Sequence, residues 1–294
     1  MVIATVDIGG TGVKFASMTR NGKVLSRQAI PTPACLEDLL TWLDLLLTSQ
    51  DYEGLSISVP GSVDPHTGVI GGISAVPYIH GFSWYEKLAQ YSFPIHLEND
   101  ANCVGLSELL AQPDLDNAAC VVVGTGIGGA LILNGRLHRG RHGLGGEFGY
   151  MLLSEPGESL GNWSLLASTG SLVRAVRARK HSEDWNGKKI YQAAADGDVI
   201  CQEAIDHMNR QLAKGILNIQ YLFDPDQICI GGSISQNPAF ITGVQEAVSS
   251  YVDRYDEFTV APRIQACTYQ ADANLYGALV NWLQEENEWP HLSA

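Results

Sequence analysis

The chain opens on an unbroken β-rich run, Val2-Ile3-Ala4-Thr5-Val6, which stops at Asp7-Ile8-Gly9-Gly10-Thr11-Gly12. Residues 13–18 predict a second strand. Asn21-Gly22 is a two-residue type I′ hairpin signal and predicts a third strand over 23–30. Leu36, Leu39, Leu40, Leu43, Leu46 and Leu47 recur at helical spacing, so 36–48 predicts an amphipathic helix. Residues 55–59 form a short apolar run closed by Pro60-Gly61, the pattern of a buried strand. A strand over 94–98 then runs into a helix over 101–111 through the joint Asn99-Asp100.

The opening pattern recurs in the second half. Residues 119–123 predict a strand, Gly124-Thr125-Gly126-Ile127-Gly128-Gly129 a turn, and 130–133 a second strand. Asn134-Gly135-Arg136 then echoes Asn21-Gly22-Lys23. The shared order of strand, Gly-Thr-Gly turn, strand and Asn-Gly-basic hairpin points to an internal duplication, and hence to two lobes around a cleft. A long helix over 199–223 ends at Asp224-Pro225, a strand over 227–230 leads to Gly231-Gly232, and 273–286 predicts the last helix. With the boundary near Gln112-Pro113-Asp114, the lobes are expected at 1–115 and 116–272, the final helix packing back on the first.

Composition narrows the chemistry. The 294 residues suit two domains at about 150 residues each, and 45% hydrophobic content excludes a disordered chain. A net charge of −14 argues against general binding to nucleic acid or anionic membranes. Bound phosphate must then be held by backbone N–H groups or a metal ion. The six cysteines, Cys35, Cys103, Cys120, Cys201, Cys229 and Cys267, form no C-x-x-C pair and sit among apolar neighbours, as buried thiols do in a reducing compartment. No signal-peptide core and no apolar run of about 20 residues is present, so a soluble, cytoplasmic protein is expected.

Several clusters carry candidate chemistry. The Gly9-Gly10-Thr11 and Gly124-Thr125-Gly126 turns each close a strand, and successive N–H groups there can form an anion nest. Gly231-Gly232 is a third glycine pair after a strand. Lys14 either adds a charge to the nest or is a solvated strand residue. Asp7, at the end of the first strand, is either a turn former or a carboxylate that holds Mg²⁺ through water. Asp100 can cap the helix it precedes and can accept a proton as a general base. Glu98 is turned by strand alternation to the face opposite Asn99. Glu147 lies among glycines in Gly143-Leu144-Gly145-Gly146-Glu147-Phe148-Gly149-Tyr150, where a carboxylate can accept hydrogen bonds from sugar hydroxyls. The basic stretch of His138, Arg139, Arg141 and His142 reads as solvated surface.

As a set, these motifs resemble the ROK family of sugar kinases. The matching residues are Asp7-Ile8-Gly9-Gly10-Thr11 with Lys14, Glu98-Asn99-Asp100-Ala101-Asn102, Gly124-Thr125-Gly126-Ile127-Gly128-Gly129, Gly146-Glu147-Phe148-Gly149 and Gly231-Gly232. The resemblance implies an α/β, two-lobed actin-like and hexokinase-like ATPase fold, built from duplicated ribonuclease H-like domains with a central cleft. It implies ATP- and Mg²⁺-dependent phosphorylation of a hexose 6-hydroxyl, with Asp100 as base. Asn99, Asp100, Glu147, Gly61 and Tyr150 would serve the sugar. Asp7, Gly9, Gly10, Thr11, Lys14, Gly124, Thr125, Gly126, Gly231 and Gly232 would serve the nucleotide and its phosphates. A homodimer is the family precedent.

Two departures sharpen the resemblance. Many family members bind a structural zinc through a cysteine cluster and a His; here the His position is Tyr150 and the cluster is replaced by 156–164, so no zinc site is expected. Glu147-Phe148-Gly149-Tyr150-Met151 with Ser154, Pro156 and Gly157 resembles the β-glucoside kinase branch, which takes disaccharides such as cellobiose. Glucokinase and N-acetylmannosamine kinase are the alternatives. A ROK-type repressor would carry a DNA-binding segment ahead of Asp7, and a filament or chaperone ATPase would need no sugar-type Glu-Asn-Asp-Ala-Asn motif.

Overall fold

A computed structural model describes residues 2–153 and 161–289. The chain forms two compact units. One comprises the residues up to Asp116, Ile132–Gly145 and the stretch from Ala271 on; the other comprises Asn117–Leu131 and Gly146–Gln270.

The first unit is built on β1 (Ile3–Ile8), β2 (Gly12–Met18) and β3 (Val24–Pro31), followed by α1 (Leu36–Leu47) and β4 (Gly54–Val59). A short hairpin, β5 (Ser62–Val63) and β6 (Ile70–Gly71), precedes α2 (Trp84–Lys87), β7 (Ile95–Asn99) and α3 (Asp100–Ala111). The five-stranded sheet has the order β3-β2-β1-β4-β7. β1 and β4 are buried along their whole length, as central strands covered on both faces must be. The helical leucine stripe works as its spacing predicts: Leu39, Leu43, Leu46 and Leu47 turn into the core. Each such buried side chain stabilises the fold by about 1.5–3 kcal/mol.

The second unit carries β8 (Ala118–Val123) and the start of β9 (Ile127–Leu133), whose end pairs with β10 (Arg136–Leu137). There follow β11 (Leu152–Leu153), β12 (Gly161–Asn162), α4 (Trp163–Ala167), α5 (Thr169–Lys180), α6 (Gly187–Ala195), α7 (Val199–Phe223), β13 (Gln227–Gly231), α8 (Pro238–Arg254) and β14 (Ile264–Ala266). The second sheet has the order β10-β9-β8-β13-β14, the order of the first sheet with each strand replaced by its counterpart. Trp163 anchors its core, fully buried, with its indole N–H donating to the Gln211 carbonyl at 2.9 Å. The last helix, α9 (Ala273–Glu285), belongs to the first unit and packs on α3, β1 and β4.

Four expectations are corrected. Asn21-Gly22 is not a type I′ turn: among these two only Gly22 has a positive φ, 81°. The Gly22 N–H donates to the Thr19 carbonyl at 2.9 Å and Thr19 N–H to Lys23 at 3.0 Å, giving a type I turn closed by a left-handed glycine. The Thr19 hydroxyl donates to the Asn21 side chain and holds it there. Asn134-Gly135, with φ of 53° and 66°, is the true type I′ pair. Gly128 and Gly129 belong to β9, so the second turn ends at Gly126. The cap of α3 is Asn99 rather than Asp100. Finally, Ile132–Gly145, expected in the second lobe, clusters with the first unit, where Arg139 finds its carboxylate partners.

Candidate functional site

In the first unit β1, β4 and β7 are parallel neighbours, with Asp7 opposite Ser58, Ser58 opposite Glu98 and Val59 opposite Asn99. Their carboxyl ends therefore align. In α/β sheets ligands bind at such ends, where turns and helix N-termini expose N–H groups. Three of the expected clusters stand there: the turn after Asp7, Gly61, and Asn99-Asp100.

Asp7 is buried, and its Oδ1 accepts from the Ser58 hydroxyl at 3.3 Å and the Asn274 amide at 2.9 Å. Its Oδ2 has the longer contact with Lys14 Nζ at 3.4 Å. One lightly engaged oxygen fits a Mg²⁺ ion held through its bound water. Lys14 is not a free solvated cation, for its Nζ also donates to the Ala271 carbonyl at 2.6 Å. The following turn is closed by Gly9 N–H to Gly12 at 3.0 Å, and the Thr32 hydroxyl donates to the Gly9 carbonyl at 2.5 Å. Gly10 and Thr11 are exposed, and their N–H groups donate to nothing among the described residues. That leaves the donors an anion nest requires.

The Asn99-Asp100 joint is tightly specified. Asn99 Oδ1 accepts the N–H groups of Ala101 at 2.9 Å and Asn102 at 3.1 Å, capping α3. Asn99 Nδ2 donates to the Gly61 carbonyl at 3.0 Å and to Asp100 Oδ1 at 3.1 Å. The amide is thus fully engaged within the protein. Asp100 occupies the first turn of α3, half-buried, with Oδ1 also accepting from Ala101 N–H at 2.9 Å. Gly61 has φ of 115°, and a Cβ there would stand 2.7 Å from the Gly71 carbonyl oxygen; only glycine lets that carbonyl face Asn99.

In the second unit β8 and β13 are parallel neighbours, Val122 opposite Gly231, so the turns after them are adjacent. One turn holds Gly124, Thr125 and Gly126; the other holds Gly232, with φ of 89°. Gly124 N–H donates to Gly126 at 2.9 Å, while the N–H groups of Thr125 and Gly126 donate to nothing among the described residues. Thr125 and Gly126 are exposed. Glu147 lies in a loop pressed on β9: a Cβ at Gly149 would sit 2.1 Å from the Ile127 carbonyl oxygen. Glu147 is half-buried, has no hydrogen-bond partner among the described residues, and burial holds its carboxyl above the usual glutamate value. Tyr150 is 72% exposed, three residues on.

The first unit also holds a network that the motifs alone do not reveal. Glu98 is buried; its Oε1 accepts from Asn99 N–H and the Asn102 amide, both at 2.8 Å, and its Oε2 pairs with Arg139 at 2.7 Å. Arg139 continues to Glu285 at 2.8 Å and Asn281 at 3.0 Å. It is therefore an ion-pair centre and not solvated surface. The signal for Glu98 was its place beside the joint; nothing local marks Arg139, Asn281 or Asn274. Among the described residues no group of three or more His, Cys, Asp or Glu is placed to hold a metal ion. Ser154, Pro156 and Gly157, which carry part of the resemblance to β-glucoside kinases, lie outside the described residues.

The comparisons follow the same lines. Residues 3–285 match the model of the ROK family. The chain is 35% identical over 297 residues to a β-glucoside kinase of Listeria innocua, covering 98% of this chain and 99% of that protein. Among solved structures, a ROK family protein from Streptococcus pneumoniae TIGR4 in complex with sucrose is 69% identical, with a TM-score of 0.95, over 98% of this chain and all 100% of that one. A ROK family glucokinase from Streptomyces griseus in complex with glucose and AMPPNP is 26% identical, with a TM-score of 0.76, over 95% and 98% of the two chains. The doubled mixed sheet is accordingly the hexokinase-like α/β fold, and the chain belongs to the ROK family.

Proposed function

We propose that this chain is an ATP-dependent sugar kinase that phosphorylates the 6-hydroxyl of a β-glucoside, with cellobiose as the lead substrate and Asp100 as general base. The observation that carries this reading is the joint at the start of α3. There Asn99, held by the Gly61 carbonyl, fixes Asp100 in the first helical turn. Asn99 and Gly61 act through Asp100, because the Asn99 amide is spent on the Gly61 carbonyl, on Asp100 and on the cap of α3. Glu147, without a hydrogen-bond partner among the described residues, accepts hydrogen bonds from sugar hydroxyls, and Tyr150 offers an exposed aromatic face. Asp100 takes the hydroxyl proton as the sugar oxygen bonds to the γ-phosphorus of ATP. The bond from that phosphorus to its bridging oxygen breaks, and ADP leaves.

In the first unit the N–H groups of Gly10 and Thr11, and in the second those of Thr125 and Gly126, are donors for the phosphates of the nucleotide. Asp7 would hold Mg²⁺ through water, and the ion would supply further neutralisation of phosphoryl charge. A two-ring ligand is favoured by the sucrose in the streptococcal structure, and a β-glucoside by the similarity to the β-glucoside kinases of Listeria and Klebsiella pneumoniae. A glucokinase is the second reading, supported by the glucose complex of the Streptomyces protein. A coupled ADP-release assay across glucose, mannose, N-acetylmannosamine, cellobiose, gentiobiose and sucrose separates them, with phosphorus NMR locating the phosphate. Cellobiose or gentiobiose should give the highest kcat/KM and a 6-phosphate product. Sugar-independent ADP release, or phosphate at another position, would contradict the proposal.

A further inference from the structure

The β5–β6 hairpin and the loop that begins at Arg139 enclose a cavity of about 570 Å³. Pockets for small organic ligands span about 300–1,000 Å³. The cavity adjoins the frame of Asp100 at two points. Ser62, on one wall, follows Gly61, whose carbonyl holds the Asn99 amide at 3.0 Å. Arg139, on the other wall, pairs with Glu98, the residue before Asn99, at 2.7 Å. Beyond Gly143, the last of the lining residues in that loop, the chain runs on through Gly146 to Glu147. The cavity is thus walled by the segment that leaves Gly61 and by the segment that enters Glu147.

Both walls are preformed. Asp64 Oδ1 accepts the N–H groups of His66 at 2.9 Å and Thr67 at 3.4 Å, which fixes the hairpin tip. The facing loop is closed by Gly145 N–H to the Arg139 carbonyl at 2.9 Å and anchored through Arg139 on Glu98 and Glu285. Against this fixed frame, the side chains of His66, Arg141 and His142 are exposed and make no hydrogen bond among the described residues. They offer hydrogen-bond donors to the cavity. Pro65 and Val69 add apolar surface to the same lining. The formal charges nearly balance, since Arg139 is already paired with two glutamates and the lining holds one carboxylate, Asp64, against the remaining cation, Arg141. Uncommitted donors, an apolar strip and little net charge suit a neutral polyhydroxyl ring better than a phosphate.

We propose that this cavity is the subsite for the second ring of a disaccharide, the sugar joined to the ring that is phosphorylated. This inference rests on the sugar-kinase reading above, and its test separates the two. Binding of cellobiose and of methyl β-glucoside, which share the first ring and differ in the second, is measured by titration calorimetry without nucleotide. The wild type should bind cellobiose about tenfold more tightly, the equivalent of one charge-assisted hydrogen bond. Arg141→Ala and His142→Ala, both at exposed positions, should each remove most of that advantage, and Arg141→Lys should restore part of it. In turnover, the KM for cellobiose should rise relative to that for methyl β-glucoside while kcat for cellobiose is kept. Equal affinity for the two sugars, or equal weakening of both in the variants, would overturn the subsite. So would competition between inorganic phosphate and cellobiose that Arg141→Ala abolishes, which would mark an anion site. Sugar-dependent ADP release with no disaccharide advantage would overturn the subsite and leave the kinase. A disaccharide advantage without ADP release would leave the subsite and overturn the kinase.

Discussion

At the scale of single residues, Glu147 carries a conflict between stability and binding. Its half-buried carboxyl is held above the ordinary glutamate value by burial alone. Ionising it in the folded chain therefore costs more than in the unfolded chain, whose glutamates titrate near about 4.3. The stability associated with its neutral form is complete below that value and is lost as pH rises through the raised folded value. Glu147→Gln should thus melt at a higher temperature than the wild type at pH 7 and at the same temperature near pH 4, measured by calorimetry. The same variant should raise the KM for sugar more than it lowers kcat, because hydrogen bonds to hydroxyls are largely made in the ground state. A lower melting temperature at pH 7 would show that Glu147 is stabilised by contacts it is not seen to make. The neighbouring case of Asn99-Asp100 shows where residue-level reading stops. Both side chains are good helix caps, so sequence marks the joint but not which of the two caps it. The Gly61 carbonyl, distant in the chain, decides in favour of Asn99.

At the scale of elements, the same dipeptide does two things. Asn134-Gly135 forms the type I′ turn that its sequence predicts, whereas Asn21-Gly22 is diverted by the Thr19 hydroxyl into a three-residue loop. Strands, the α1 stripe and the α7 span were legible because period and breakers are local. The joining of β7, α3, α9 and the 139–145 loop was not, since it depends on a part-buried ion pair, Glu98 with Arg139, between residues far apart in sequence. That pair supports a quantitative expectation. Arg139→Ala takes the cation from the buried carboxylate of Glu98, which keeps its two N–H donors, and should cost about 1–3 kcal/mol of stability. Replacing both partners, as Glu98→Gln with Arg139→Met, should be clearly less costly than the single change. Chemical denaturation of the three proteins checks this, and a double variant less stable than Arg139→Ala would contradict it. Close packing of α9 on α3 is equally invisible in sequence. A Cβ at Gly277 would stand 1.7 Å from the Cys103 carbonyl oxygen, so this glycine is a contact and not a helix breaker.

At the scale of the whole molecule, the two sheets repeat one strand order, and the repeat was readable from two Gly-Thr-Gly turns and their hairpins. What repetition could not disclose is how each copy has been specialised. The first copy carries Asp7 near the end of β1, clamped by Ser58 and by Asn274 from the far end of the chain, and places a base candidate after β7. The second copy ends β8 and β13 on glycine turns whose N–H groups at Thr125 and Gly126 donate to nothing among the described residues, and carries Glu147 on a loop laid against β9. Contacts such as Asp7 with Asn274 join residues with no local pattern between them, which is why the clamp was missed while the turn was found. The account's central claim is that Asp100 removes the sugar hydroxyl proton. Its most direct test is kcat for cellobiose in Asp100→Asn, paired with cellobiose affinity by calorimetry. Asn preserves size and the contacts of the joint but cannot act as the base. The account predicts a kcat lower by at least about 10²-fold, the usual contribution of a positioned base, with affinity within about twofold of the wild type. A near wild-type kcat in Asp100→Asn, with turnover abolished instead in Glu147→Gln, would contradict it.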